Sequence, residues 1–120
     1  MLVEDNDVFR EALEMLLDLR PDVEVVASVD DGRDIVSLCR RDEPDVVLMD
    51  YRLPGADGVQ VTAELRDACP EVAVVCLTAT ANDRELEALE AAGAAACLSK
   101  DRDLDEIVAT IHSAAGRSKR

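Results

Sequence analysis

The chain has 120 residues, 48% hydrophobic but only 2% aromatic, and a formal net charge of -14. That length holds one compact domain and is too short for two ordinary ones, and the core must be built from Val, Leu, Ile and Ala. The charge repels a phosphate backbone, which argues against direct binding to nucleic acid or an anionic membrane and leaves cations as the natural counterpart.

Met1 to Glu4 reads as the end of a short first strand, followed by the acidic group Glu4, Asp5 and Asp7. Phe9, Leu13, Leu16 and Leu17 then fall on one helical face, and Pro21 stops that helix. Val23 to Val29 is rich in β-branched residues and reads as a second strand; Gly32 marks a turn, and Ile35, Val36, Leu38 and Cys39 give a short amphipathic helix ending before Pro44. Val46 to Met49 is an uninterrupted apolar run, the pattern of a strand buried on both faces, and Leu53-Pro54-Gly55 cannot continue it. Asp50 therefore stands where a buried strand meets solvent.

Asp57-Gly58 opens a third helix with Val61, Leu65 and Ala68 inward and Pro70 as terminator, after which Val72 to Leu77 is a fourth strand closed by Thr78. Asn82 with Glu85 resembles a capping box for a helix through Leu86 and Leu89 that ends at Gly93. Ala94 to Leu98 is the fifth strand, followed by Ser99 and Lys100, and Asp103 with Glu106 caps a last helix striped by Leu104, Ile107, Val108 and Ile111. The basic stretch from Arg117 to Arg120 is a compositional shift, so the expected division is a domain over residues 1–116 and a tail or linker over 117–120.

The four cysteines, at positions 39, 69, 76 and 97, show no CxxC pair, and His112 has no Cys or His at metal-ligand spacing, so zinc is not expected. Cys76 and Cys97 lie in apolar runs and read as free core thiols; no signal peptide or membrane-length apolar run appears, so the expected setting is the cytoplasm, with no membrane association.

Five short strands alternating with five helices call for right-handed crossovers and a parallel sheet covered on both faces, a doubly wound α/β domain. In the flavodoxin-like order 2-1-3-4-5, Glu4, Asp5, Asp50, Thr78 and Lys100 all fall at carboxyl ends of strands around the crevice where ligands bind in such sheets. Three carboxylates there repel one another unless a cation is present, and Mg²⁺ suits a site of few carboxylates and phosphate oxygens. Lys100 and Thr78 could each meet a phosphoryl oxygen, so the constellation describes phosphoryl transfer to Asp50.

Over its whole length the chain resembles the receiver domain of bacterial two-component response regulators. VEDN at Val3 to Asn6 matches the family's acidic pair, LMDYRLPGADG at Leu48 to Gly58 its phosphoacceptor turn, LTA at Leu77 to Ala79 its Thr/Ser position, and LSKD at Leu98 to Asp101 its lysine turn. Lys-Asp in place of the Lys-Pro of many receivers, together with the LPGxDG loop, leans towards the NarL-type subfamily, whose full-length members carry a C-terminal helix-turn-helix DNA-binding domain.

The resemblance implies that Asp50 accepts a phosphoryl group from a sensor histidine kinase or a small acyl phosphate. It implies Mg²⁺ bound by Asp5 and Asp50 directly, by Glu4 through water and by the backbone carbonyl of Arg52. Thr78 would follow the phosphoryl group with its loop, Lys100 would hold a remaining oxygen, and Arg52 and Thr80 would tune dephosphorylation. The output would be homodimerisation, through the face of the fourth helix, fifth strand and fifth helix or through the first and fifth helices, with transcription regulated by a DNA-binding domain outside these residues. A stand-alone receiver binding a protein partner is the alternative. One departure concerns the readout: the family usually has Tyr or Phe three residues before the lysine, and here that switch position is Cys97.

Two other classes meet obstacles in the residues. A phosphatase with an Asp nucleophile needs a second Asp two residues on, where this chain has Arg52, so at most slow autophosphorylation and self-hydrolysis are expected instead of enzymatic turnover. A module that only binds proteins has no need of the acidic pair, Asp50 and Lys100, although Cys97 is compatible with it.

Overall fold

A computed structural model of the chain describes residues 1–53, 56–79 and 82–118. Five parallel strands form the sheet: β1 (Leu2–Val3), β2 (Ser28–Val29), β3 (Val46–Asp50), β4 (Ala73–Thr78) and β5 (Ala96–Ser99). Their spatial order is β2-β1-β3-β4-β5. The helices are α1 (Asp7–Asp18), α2 (Ile35–Asp42), α3 (Gly58–Ala68), α4 (Asp83–Ala92) and α5 (Leu104–Ser118). Among the described residues no helix is long and apolar enough to cross a membrane.

The apolar run of β3 is buried from Val46 to Asp50, and its pleat divides the core into two layers. Val47 and Met49 join Val3, Ile35, Val61, Leu65, Val74, Cys76 and Leu89 under α2, α3 and α4. Val46 and Leu48 join Leu2, Leu13, Leu17, Val75, Leu77, Ile107, Val108 and Ala114 under α1 and α5. Helix covers on both faces explain why the central strands are apolar throughout instead of alternating.

Capping follows the sequence closely. The side chains of Asn6, Asp57, Asn82 and Asp103 accept from the backbone N–H groups of Phe9, Val59, Glu85 and Glu106. Gly93 ends α4 with φ of 110°, a left-handed conformation that an L side chain rarely adopts.

Two expectations need correction, and one element was not expected. The second strand is Ser28–Val29 and not the whole of Val23 to Val29. It is an edge strand whose neighbour β1 presents only Leu2 and Val3, so Val23 and Val25 pack sideways on the α1–α5 layer and Val26 is left exposed. Leu16, assigned to the inward face of α1, is 44% exposed; Leu13 and Leu17 fill the space beneath the helix. Beyond β3, Arg52–Leu53 pairs antiparallel with Ala56–Asp57, a short ladder not anticipated from the sequence.

Gly58 begins α3 tight against the loop that follows Asp50: a Cβ there would lie 2.7 Å from the Tyr51 carbonyl oxygen. Backbone cannot retreat as a side-chain tip can, so Gly58→Ala should destabilise the domain by about 1–3 kcal/mol. Gly116, in α5, has nothing within 4 Å of such a Cβ. Gly116→Ala should stabilise by about 0.5–1 kcal/mol through helix propensity alone. Urea unfolding of both variants checks the pair, and a Gly58→Ala midpoint equal to that of the parent would refute the steric account.

Candidate functional site

Parallel pairing carries β1, β3, β4 and β5 to one edge of the sheet. Val3 pairs with Met49, Asp50 with Leu77, and Thr78 with Ser99, so Glu4, Asp50, Thr78 and Lys100 arrive at the same end in register. The Lys100 N–H donates to the Thr78 carbonyl at 2.9 Å, which joins the last turn of β5 to that of β4.

Carboxylate oxygens of Glu4, Asp5 and Asp50 lie within 4.8 Å of one another. Glu4 is 1% exposed and Asp50 6%, while Asp5 faces solvent. Lys100 Nζ stands 2.5 Å from Glu4 Oε1 and 3.1 Å from Asp50 Oδ2. The other oxygens are held by backbone: Asn6 N–H donates to Glu4 Oε2 at 3.1 Å, and Arg52 N–H to Asp50 Oδ1 at 3.2 Å.

Burial, and then the hydrogen bond shared with Asp50, push the Glu4 carboxyl up to about 7, against the opposing pull of Lys100 and the Asn6 N–H. Burial works against the Lys100 ammonium too, but Glu4 and Asp50 outweigh it and raise its pKa. Three carboxylates thus face one ammonium, which leaves acidic capacity uncompensated. Hard oxygen donors with an exposed member at the mouth fit a small divalent cation such as Mg²⁺.

The remaining sequence candidates occupy different settings. Thr78 is buried at the end of β4, beside the lysine turn. The Arg52 side chain points outward, over the Tyr51 ring at 5.8 Å and 4.0 Å from Glu85 of α4. Thr80 lies outside the described residues. Cys97 is partly buried on β5, opposite Cys76 of β4.

Two contributors were not anticipated. The Phe9 ring lies against Lys100, with Nζ 4.9 Å from its centroid, and Arg10 Nη1 donates to the Glu4 carbonyl at 2.8 Å while its Nη2 pairs with Asp7. Helical periodicity marks Phe9 only as facing inward, and the spacing from Asp7 marks Arg10 only as one half of an i,i+3 ion pair; their contacts with Lys100 and the Glu4 carbonyl are set by how α1 packs beside β1.

An acidic pair, a buried central Asp and a lysine at the carboxyl edge of a 2-1-3-4-5 sheet define a class of signalling domain, and the comparisons agree. The chain belongs to the response regulator receiver domain family, which matches residues 1–112. Within that family its relatives are bacterial transcriptional regulators of the NarL, DegU and LuxR type. The transcriptional regulatory protein LnrK of Bacillus subtilis is 40% identical over 118 residues, covering 94% of this chain and 53% of that protein. The probable transcriptional regulatory protein NarL of Mycobacterium tuberculosis is 39% identical over 117 residues, covering 95% of this chain and 53% of that one. The solved signal receiver domain of the M. tuberculosis NarL superposes with a TM-score of 0.90 at 35% identity, over 96% of this chain and 93% of that domain. The chain spans about half the length of the curated relatives it matches.

The Glu4 environment has a measurable consequence. Its carboxyl is raised in the folded chain from 4.5 to about 7, so folding takes up a proton in that interval and stability declines as pH rises through it. The ceiling on this contribution is about 3 kcal/mol. In buffer free of divalent cations, Glu4→Gln should show a shallower fall in urea stability between pH 5 and 7 than the parent; parallel curves would contradict the assignment.

Proposed function

We propose that the chain is the phosphoacceptor receiver of a two-component transcription regulator, acting in the cytoplasm, with Asp50 as acceptor. The observation that carries this reading is the buried Asp50 carboxylate with Lys100 at 3.1 Å and the Glu4 and Asp5 carboxylates clustered beside it. An Asp50 oxygen attacks phosphorus and forms a new P–O bond. The bond to the donor, a phosphohistidine nitrogen of a sensor kinase or an acyl oxygen, breaks, and the donor leaves with the electron pair.

Lys100 neutralises charge gathering on one phosphoryl oxygen, and the Thr78 hydroxyl donates to another, drawing the loop after β4 towards the site. Glu4, Asp5, Asp50 and the Arg52 backbone carbonyl would hold Mg²⁺, which when bound supplies neutralisation of phosphoryl charge. Arg52 and Thr80 tune hydrolysis of the acyl phosphate from positions beyond Asp50 and Thr78. The output is a change in self-association that acts on DNA through a domain outside these 120 residues, a reading supported by relatives named as transcriptional regulators and by their greater length.

Intact mass after incubation with Mg²⁺ and acetyl phosphate tests the acceptor. A gain of about 80 Da is expected, absent in Asp50→Asn and with excess chelator, and appearing roughly a hundredfold more slowly in Lys100→Ala. An unchanged gain in Asp50→Asn would overturn the assignment.

A further inference from the structure

The cysteines group in a way that the phosphoacceptor chemistry does not use. Cys76 and Cys97 are register partners on β4 and β5 and face the same core layer, beneath α3 and α4. Adjacent strands run about 4.8 Å apart, inside the roughly 4.4–6.8 Å Cα separation that a disulfide spans. Cys76 is fully buried, whereas Cys97, on the edge strand, keeps partial access to solvent. We propose that Cys97 and Cys76 form a reversible thiol–disulfide site, oxidised by hydroperoxides such as hydrogen peroxide.

The geometry assigns distinct roles to the two sulfurs. Cys97 is the less buried of the two and so the one assigned to meet the oxidant, and the hydrogen bond between the thiols lowers its pKa while raising that of Cys76, with burial raising Cys76 further. The Cys97 thiolate attacks one peroxide oxygen; the O–O bond breaks, and the departing hydroxide takes a proton and leaves as water. The Cys76 sulfur then attacks the resulting Cys97 sulfenic acid. The S–O bond breaks, the Cys76 proton leaves with the oxygen as a second water, and the S–S bond forms.

Cys39 and Cys69 make a useful contrast, since both are buried, and the Cys39 thiol is pushed up to about 11 by burial first and by Cys69 second. The Cys76–Cys97 pair lies two residues before Thr78 on β4 and three before Lys100 on β5, so its oxidation would tie together the two strands that end at the site.

The test is hydrogen peroxide on the whole folded chain, followed by denaturation, thiol alkylation, intact mass and peptide mapping. It reads a covalent change at sulfur and is independent of whether Asp50 takes up phosphate. The expected result is a monomer lighter by about 2 Da before alkylation, with the link mapped to Cys76 and Cys97, only Cys39 and Cys69 alkylated, and reversal by a dithiol. In Cys76→Ala, shown folded by circular dichroism, Cys97 should be trapped as a sulfenic acid by dimedone. Four alkylated cysteines after peroxide, a link mapped to Cys39 and Cys69, or no dimedone adduct in folded Cys76→Ala would each overturn the proposal.

Discussion

Two carboxylates buried at a sheet edge and held by one ammonium govern how this domain is built. Glu4 and Asp50 are almost sealed from water, a placement that costs several kcal/mol per ionised group unless the charge is met. Lys100 meets both, and backbone N–H groups of Asn6 and Arg52 meet one further oxygen on each. The match is incomplete by charge, because Asp5 adds a third carboxylate to the same cluster. Excess acidity beside an accessible edge makes the site receptive to a cation and responsive to anything that changes the charge on Asp50.

The scaffold brings those ends together without bending the strands. β3 and β4 share five register pairs, which hold the Asp50 end of one beside the Thr78 end of the other. β1 is only two residues long, and it is secured from outside the sheet: Arg10 of α1 holds the Glu4 carbonyl, and Asn6 both caps α1 and donates its N–H to the Glu4 side chain. Gly58 allows α3 to start directly against the Tyr51 backbone, next to Asp50 in the chain.

Much of this was legible in the residues. The caps at Asn82, Asp103 and Gly93 and the buried run of β3 follow from hydrogen-bonding chemistry and periodicity that act over a few residues, and the order 2-1-3-4-5 is the one expected of five alternating strands and helices in a doubly wound sheet. Features that depend on a distant neighbour were not. The stretch from Val23 to Val26 has strand-like composition yet lacks a ladder because β1 is short, Leu16 fits the helical period yet faces solvent, and the contacts of Phe9 with Lys100 and of Arg10 with the Glu4 carbonyl come only from the docking of α1.

The order of residues along the chain was enough to indicate most of the elements and the acidic and basic groups delivered to the carboxyl edge of the sheet, since short-range patterning and the handedness of crossovers leave few other arrangements. How those groups meet came from packing in three dimensions: Lys100 bridges Glu4 and Asp50 while Asp5 stays in water, and Cys76 faces Cys97 across a ladder. These contacts depend on register and burial between strands far apart in the chain, and burial sets the local dielectric, which no residue's own neighbours in sequence can specify.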